Sequence, residues 1–174
     1  MDYNDILARF KEVNVTDTFG TKKEMKELPM ILKEDETIMY AASGFVDNNT
    51  WLITCTDKRL LFLDKGMVFG LKQVEIPIEK INSISYKKGL LLGEIIIYHG
   101  AAQMTIKNIQ KEAVKPLADA INNEIEKHRS AANNTSIQPT VSAADELLKF
   151  KQLLDAEVIT QEEFDAKKKE LLGL

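Results

Sequence analysis

The chain has 174 residues, of which 44% are hydrophobic and 29% charged, and its formal net charge is −4. This length allows one ordinary domain and an appendage, and the acidic balance argues against a surface that binds nucleic acid. No apolar run reaches the roughly 18 residues of a membrane-spanning helix, and the single cysteine, Cys55, excludes an intrachain disulfide. Because the N-terminus also lacks a basic-then-apolar signal pattern, we expect a cytoplasmic protein, with peripheral contact at the inner membrane face as the open alternative.

Helices are predicted first, over residues 1–32. Phe19-Gly20 interrupts the pattern, and Thr21 then has the capping-box spacing with Glu24, in which each side chain bonds the other residue's backbone amide. Before the interruption, apolar residues recur at helical spacing and form one stripe. That stripe consists of Tyr3, Ile6, Leu7, Phe10 and Val13.

Between residues 36 and 107 the pattern changes to short runs of β-forming residues separated by Gly, Asn or Asp. Strands at about ten-residue spacing are typical of an antiparallel sandwich or barrel. The predicted strands cover 37–45, 51–56, 59–64, 73–78, 83–88, 94–99 and 103–108. In one hairpin the basic residues Lys58, Arg59 and Lys65 stand beside two aspartates, which predicts an ordinary solvated turn.

One amphipathic helix follows, over residues 109–128, and a polar stretch comes after it. The apolar face of this helix consists of Val114, Leu117, Ala118, Ile121 and Ile125. Residues 130–142 carry no charge and few large apolar groups. That composition is typical of a flexible linker.

Residues 143–174 form two further amphipathic segments joined near Thr160, which has the capping-box spacing with Glu163. Chains below about 40 residues usually cannot bury enough surface to stabilise themselves. We therefore expect this hairpin to bind a protein partner or another copy through its apolar residues. Those residues are Leu147, Phe150, Leu153, Leu154, Val158, Ile159, Phe164 and Leu171.

Residues from about 28 to 125 resemble a bacterial pleckstrin-homology (PH) domain. The matching stretches are ILKEDETIMYAASG, TDKRLLFLDK and IPIEKINSISYKKGLLLG, followed by the amphipathic helix. The resemblance implies an α+β fold, in which a seven-stranded antiparallel PH-like β-sandwich or barrel is capped by a C-terminal helix. Here N-terminal helices precede that fold and a small helical hairpin follows it.

Residues 143–174 resemble the SHOCT (short C-terminal) domain in the VITQEEF run, the lysines and leucines after it, and Gly173. Glu157 departs from that family, which usually has Gly there, and a left-handed conformation would cost a non-glycine residue about 1–2 kcal/mol. The expected divisions are an N-terminal helical segment (1–28), a PH-like domain (29–129), a flexible linker (130–142) and a SHOCT hairpin (143–174). Together the resemblances imply an adaptor or oligomerising protein of bacterial or phage origin.

Catalysis is not expected from the residues that usually perform it. Cys55 lies in the middle of a predicted strand, His99 at a hairpin tip and His128 near a helix end. The spacing places none of them beside a carboxylate, and together they form neither a set of metal ligands nor a nucleophile dyad. We therefore predict no catalytic residue, no metal, no cofactor and no small-molecule substrate.

The stretch YKKGLLLGE is the main candidate for a contact outside the hairpin. Lys87 and Lys88 precede Leu90, Leu91 and Leu92, and the leucines lie between two glycines. A basic-rimmed apolar tip suits a membrane interface. The leucines could instead begin the next strand, pack under the N-terminal helices or meet another subunit, and we favour packing or a subunit contact over lipid. The loop between the first two strands, GFVDNNTW, lacks the basic residues with which eukaryotic phosphoinositide-binding PH domains hold phosphates.

These patterns favour a non-enzymatic binding and scaffolding module that acts through homo-oligomerisation and protein–protein interaction. The alternative is a peripheral, lipid-binding membrane adaptor that uses the hairpin tip formed by Lys87, Lys88 and Leu90 to Leu92.

Overall fold

The computed structural model describes residues 1–66, 70–136, 143–155 and 158–172. The chain consists of two compact units, Met1–Arg129 and Ser130–Leu174. The helices are α1 (Tyr3–Glu12), α2 (Lys22–Ile31), α3 (Lys111–Ser136), α4 (Ala143–Asp155) and α5 (Gln161–Leu172). The strands are β1 (Ile38–Val46), β2 (Asn49–Thr56), β3 (Arg59–Lys65), β4 (Leu71–Pro77), β5 (Ile81–Lys88), β6 (Leu92–His99) and β7 (Ala102–Gln110), and a single 3₁₀ turn, Ile78–Lys80, precedes β5.

The strands form one antiparallel sheet in the order β4-β3-β2-β1-β7-β6-β5, which confirms the predicted strands and the α+β class. The β1–β2 hairpin turns at Asp47 and Asn48, whose φ angles of 47° and 64° are those of a tight hairpin turn. Only Phe45 and Lys107 pair β1 with β7, which is where the sheet divides into two halves. Gly44 permits the close approach there, since a Cβ on it would lie 2.3 Å from Cγ2 of Ile106.

Two apolar clusters stabilise the first unit. One lies inside the bent sheet and includes the apolar face of α3, with Val114, Leu117 and Ile121 fully buried. The other joins α1 and α2 to β1, β2 and β3 through residues such as Phe10 and Leu61. Strands β2 and β3 therefore have both faces buried, which explains their nearly continuous apolar runs.

The predicted capping box at Thr21 and Glu24 is wrong, although α2 does begin after Thr21. The Thr21 hydroxyl donates to the Thr18 carbonyl at 3.0 Å and lies 3.0 Å from Oγ of Ser43. The Glu24 carboxylate instead accepts from the amide of Lys65, at 2.8 Å. Both side chains are drawn away from the helix start because tertiary partners compete for them.

The prediction of a solvated turn is also wrong for Arg59, which is 7% exposed. Its guanidinium donates to both carboxylate oxygens of Glu36, at 2.8 and 2.7 Å, and to the Ile31 carbonyl at 3.0 Å. A further nitrogen lies 2.5 Å from the Glu75 carboxylate. Burial raises the pKa of Glu36, but the bonds from Arg59, the Lys33 amide and Thr56 outweigh it and hold the pKa below its ordinary value.

Helix α3 confirms the predicted amphipathic helix and extends it. Its last residue is Ser136, so residues 130–136 of the predicted linker are helical rather than flexible coil. Alanines 131 and 132 favour helix, and no Gly or Pro intervenes before Pro139. The rest of that predicted linker lies outside the described residues.

Candidate interaction surfaces

The tip of the β5–β6 hairpin, residues 87–92, has a backbone that is fixed at both sides. The amide of Gly89 donates to the Leu92 carbonyl at 2.9 Å and closes the turn. The amide of Lys111, the first residue of α3, donates to the Leu91 carbonyl at 3.0 Å. This second bond satisfies one of the helix's free N-terminal amides, so the tip and α3 hold each other in place.

Gly93 lets the tip lie this close to α3. It pairs with Lys88 across the hairpin. A Cβ at this position would lie 2.4 Å from the Lys87 carbonyl oxygen and 2.7 Å from Cγ2 of Val114. Contacts this short require a neighbour to move, and the nearer neighbour is backbone in a paired strand. The geometry of the tip therefore depends on the absence of a side chain at Gly93.

The tip leucines, Leu90 to Leu92, are exposed on this fixed turn. Their exposed fractions are 84%, 77% and 46%. Leu92 does begin the next strand, β6. Leu90 and Leu91 do not pack under the N-terminal helices, which was one of the alternatives, and their side chains are available to another molecule.

Lysines surround the tip leucines on several elements. Lys87 is 3.2 Å from the Glu94 carboxylate, while Lys88 is exposed and makes no ion pair with any described residue. Lys111 is bonded to the tip through its backbone, and Lys107 lines a shallow hollow together with Leu92. Glu94 and the exposed Glu112, next to Lys111, are the acidic residues beside these four lysines, so the tip is apolar at its centre and mainly basic at its rim.

Strand β5, which leads into the tip, is one edge of the sheet. Its residues are exposed except for Ile81 and Ile84, and the Tyr86 side chain, close to the tip, is 42% exposed. An edge strand presents unpaired amides and carbonyls to solvent. The edge and the tip leucines therefore form a continuous surface.

The corner of the C-terminal hairpin confirms the predicted capping box. The Thr160 amide donates to the Glu163 carboxylate at 2.9 Å, and the Glu163 amide donates to Oγ1 of Thr160 at 3.3 Å. The Thr160 hydroxyl also donates to the Glu163 carboxylate, at 3.1 Å, and the bonds from the Thr160 amide and hydroxyl lower the pKa of Glu163, the amide having the larger effect. Before the corner, the Val158 amide donates to the Leu153 carbonyl at 2.9 Å. The predicted departure at Glu157 lies outside the described residues.

The hairpin has no buried side chain among those the structure describes in residues 147–170. Leu153 and Val158 are 40% and 67% exposed, as is Leu148 at 60%. The side chain of Leu171 lies outside the described part. The other apolar side chains predicted to bind a partner are half-buried, namely Leu147, Phe150, Leu154, Ile159 and Phe164. Helices α4 and α5 thus leave apolar surface that a partner can cover.

The candidate reactive groups lie outside the tip and the hairpin, and no hydrogen bond between described residues joins Cys55, His99 and His128 to one another. Cys55 is buried, and its burial raises the pKa of the thiol. A ring nitrogen of His128 is 2.7 Å from the Asp57 carbonyl oxygen, and His99 ends β6. Within the described ranges, no group of three or more His, Cys, Asp or Glu side chains is placed to hold a metal ion. Nor is any helix in those ranges long and apolar enough to span a bilayer.

Comparison with known proteins identifies both parts of the chain. Residues 32–123 match the model of the bacterial PH domain, and residues 145–172 match that of the short C-terminal domain, SHOCT. An uncharacterized protein of Archaeoglobus fulgidus is 24% identical over 184 residues, covering 85% of this chain and 97% of that one.

Solved structures with the PH fold are also similar. One is the pleckstrin homology domain from Shewanella amazonensis SB2B, with 19% identity, coverage of 63% of this chain and 91% of that chain, and a TM-score of 0.43. Another is a DUF1696 family protein with a pleckstrin-homology domain from Shewanella loihica PV-4, with 17% identity, coverage of 59% and 91%, and a TM-score of 0.44. The PH model matches more than half of this chain, so the chain belongs to the bacterial PH domain family, and it carries a SHOCT domain at residues 145–172.

Proposed function

We propose that the protein is a non-enzymatic scaffold that self-associates through its β5–β6 tip and recruits a protein partner through its C-terminal hairpin. The observation that carries this proposal is the exposure of Leu90 and Leu91, 84% and 77%, on a backbone held by α3. Both domain families support a binding role.

The fixed backbone matters for association. Binding loses free energy when loops and side chains must be ordered at the interface. At this tip the turn is already closed by the Gly89 bond and held to Lys111, so few backbone angles remain to be fixed. Contiguous exposed apolar residues commonly mark interaction sites in soluble proteins. The adjacent edge of β5 can add backbone hydrogen bonds to the same contact.

The hairpin supplies the second contact. Its described apolar side chains are at best half-buried, while the Thr160–Glu163 cap defines where α5 begins. An amphipathic helix pair of this kind binds by laying its apolar face against a groove or another helix. A protein partner that covers Leu153 and Val158 would remove exposed apolar surface on both sides of the corner.

Light scattering after size exclusion tests the self-association. We expect the full-length chain to form an oligomer and the Leu91→Asp variant to dissociate, because the substitution replaces an apolar side chain by a charged one that would have to lose its water in the contact. Met30→Asp is the matched control, since Met30 is also 77% exposed but lies on α2. A monomeric wild-type protein, or equal loss of mass in both variants, would contradict the assignment of the tip.

A second candidate function, peripheral membrane binding, is favoured by the lysines around the tip. Polybasic surfaces gain about 1 kcal/mol per Lys or Arg near an anionic membrane, and leucines at the centre could enter the interface. Co-sedimentation with phosphatidylglycerol vesicles, against phosphatidylcholine vesicles as control, tests this function. It predicts binding to the anionic vesicles that Lys88→Glu weakens and Leu91→Asp abolishes. Failure to sediment with either vesicle would exclude it.

A further inference from the structure

The two halves of the sheet separate beside a single pair of residues. Between the described parts of β1 and β7, only Phe45 and Lys107 are paired. The next residue of β7, Asn108, has a φ of 56°, a left-handed conformation that interrupts the regular strand and that Asn adopts more readily than most residues. The backbone amides of β1 and β7 that face this gap therefore need acceptors from elsewhere in the chain.

Asp17, in the segment that joins α1 to α2, supplies an acceptor to each half of the sheet. Its backbone carbonyl accepts from the amide of Ser43 in β1, at 3.0 Å. Its carboxylate oxygen Oδ2 accepts from the amide of Gln110, the last residue of β7, at 3.1 Å. The other oxygen, Oδ1, accepts from the amide of Phe19 at 3.3 Å. One residue of the N-terminal segment thus bridges the gap between the two strands.

The carboxylate of Asp17 is buried, with only 2% of the residue exposed. Burying a charge is costly unless it is hydrogen-bonded. An Asn side chain would avoid that cost at nearly the same volume, but it has one acceptor oxygen where a carboxylate has two. The carboxylate is therefore the group that can hold the amides of Phe19 and Gln110 at the same time.

Gln110 connects this bridge to the β5–β6 tip. It lies opposite Leu92 in the pairing of β6 with β7. The next amide along the chain, that of Lys111, donates to the Leu91 carbonyl at 3.0 Å. Successive residues of an antiparallel strand direct their amides to opposite sides, so Asp17 holds one side of this backbone while the other side holds the tip. Loss of the Asp17 bond would free the Gln110 backbone and weaken the bond from Lys111 with it.

We infer that Asp17 is a positioning residue for the tip: through the end of β7 it fixes the turn that presents Leu90 and Leu91 to another copy. This inference rests on the proposed self-association and adds the N-terminal segment to it. Asp17 lies outside residues 32–123, which match the PH model. The segment that precedes the PH domain therefore acts on the contact surface at the opposite side of the β1–β7 gap, without being part of that surface.

Residue-resolved hydrogen–deuterium exchange of the full chain, diluted until light scattering shows a monomer, tests this coupling apart from association. In Asp17→Ala the amides of Gly89 and Lys111 should exchange about tenfold faster than in wild type, the effect of losing one hydrogen bond to a charged group. Asp17→Asn keeps one acceptor, so its effect should be smaller. Thr21→Val is the matched control, because Thr21 is fully buried in the same segment but its hydroxyl contacts Ser43 of β1 rather than β7. Unchanged exchange at the tip in Asp17→Ala, or equal acceleration in Thr21→Val, would overturn the inference.

The dissociation constant of the oligomer, from sedimentation equilibrium, tests the consequence for association. Asp17→Ala should raise this constant at least about threefold, because the loosened tip has to be ordered on binding, whereas Thr21→Val should leave it unchanged even if it lowers Tm. Equal constants for wild type and Asp17→Ala would overturn the inference. A wild-type protein that stays monomeric would instead contradict the proposed function, and the exchange of the dilute protein would still decide the role of Asp17.

A measurement on the wild-type protein alone decides if Asp17→Ala does not fold. Amides that belong to one cooperative unit open with the same free energy in native-state exchange. We expect the amides of Gln110, Lys111 and Gly89 to open together in this way. A Gln110 amide that opens independently of the other two would overturn the inference.

Discussion

Replacing Gly93 by Ala should destabilise the protein, because the tip depends on a close approach at this residue. The added Cβ would lie 2.4 Å from the Lys87 carbonyl oxygen and 2.7 Å from Cγ2 of Val114. Overpacking of this kind costs about 1–3 kcal/mol, and a backbone neighbour places the cost in the upper half of that range. The lower entropy of the unfolded Ala chain returns about 0.4–1 kcal/mol. The expected net loss is about 1–2.5 kcal/mol.

Thermal unfolding followed by circular dichroism measures this loss. For a chain of this size, about 1–2.5 kcal/mol corresponds to a fall in Tm of about 2–10 °C. Leu91→Ala is the control, since it alters the same tip at an exposed side chain and should change stability by less than about 0.5 kcal/mol. Equal Tm values for wild type and Gly93→Ala would refute the fixed contact between the tip and α3.

Three further predictions concern the buried network, the hairpin corner and the cysteine. Glu36→Gln should lower the free energy of unfolding by about 3 kcal/mol at neutral pH, because it leaves the buried charge of Arg59 only partly compensated. Since the pKa of Glu36 is lowered on folding despite its burial, its contribution is present above the unfolded pKa of about 4.3 and disappears as pH falls through the folded value. Urea titrations should therefore show that the difference in free energy of unfolding between wild type and Glu36→Gln becomes smaller below about pH 4. A difference that does not change with pH would contradict this reasoning. Thr160→Ala should lower the helical signal of the full chain in circular dichroism, since the backbone amide of Glu163 then loses the Thr160 hydroxyl that accepts its hydrogen bond. An unchanged signal would exclude a role for the cap. Cys55 should react with a thiol reagent only after unfolding, because burial both shields it and raises its thiol pKa; rapid reaction of the native protein would show that the strand opens.

The sheet and the hairpin corner could be predicted because their signals are local. Turn residues between short apolar runs gave all seven strands, and Asp47-Asn48 lies where the first hairpin turns. Thr160 and Glu163 are three residues apart and bond as their spacing predicts. Three consecutive apolar residues cannot all face the core from one strand, which predicts that part of the run is exposed or shared; the structure exposes Leu90 and Leu91 most.

The remaining features depend on partners distant in the sequence. Arg59 bonds Glu36, 23 positions away, so no local pattern distinguished it from an exposed turn residue. Thr21 and Glu24 have the spacing of a capping box, but Ser43 and the Lys65 amide compete for their side chains. An open cleft between residues 16–24 and the ends of β3 and β4 could not be predicted for the same reason, since its lining comes from segments far apart in the sequence.

Hydrogen–deuterium exchange of the unmodified full-length protein, at low and high concentration, tests the central claim most directly. If copies associate through the tip and the β5 edge, peptides containing Ser85 to Gly93 should become more protected as concentration rises. The peptide containing Met30, equally exposed in the single chain, should not change. Exchange at the tip that is independent of concentration would contradict self-association through this surface.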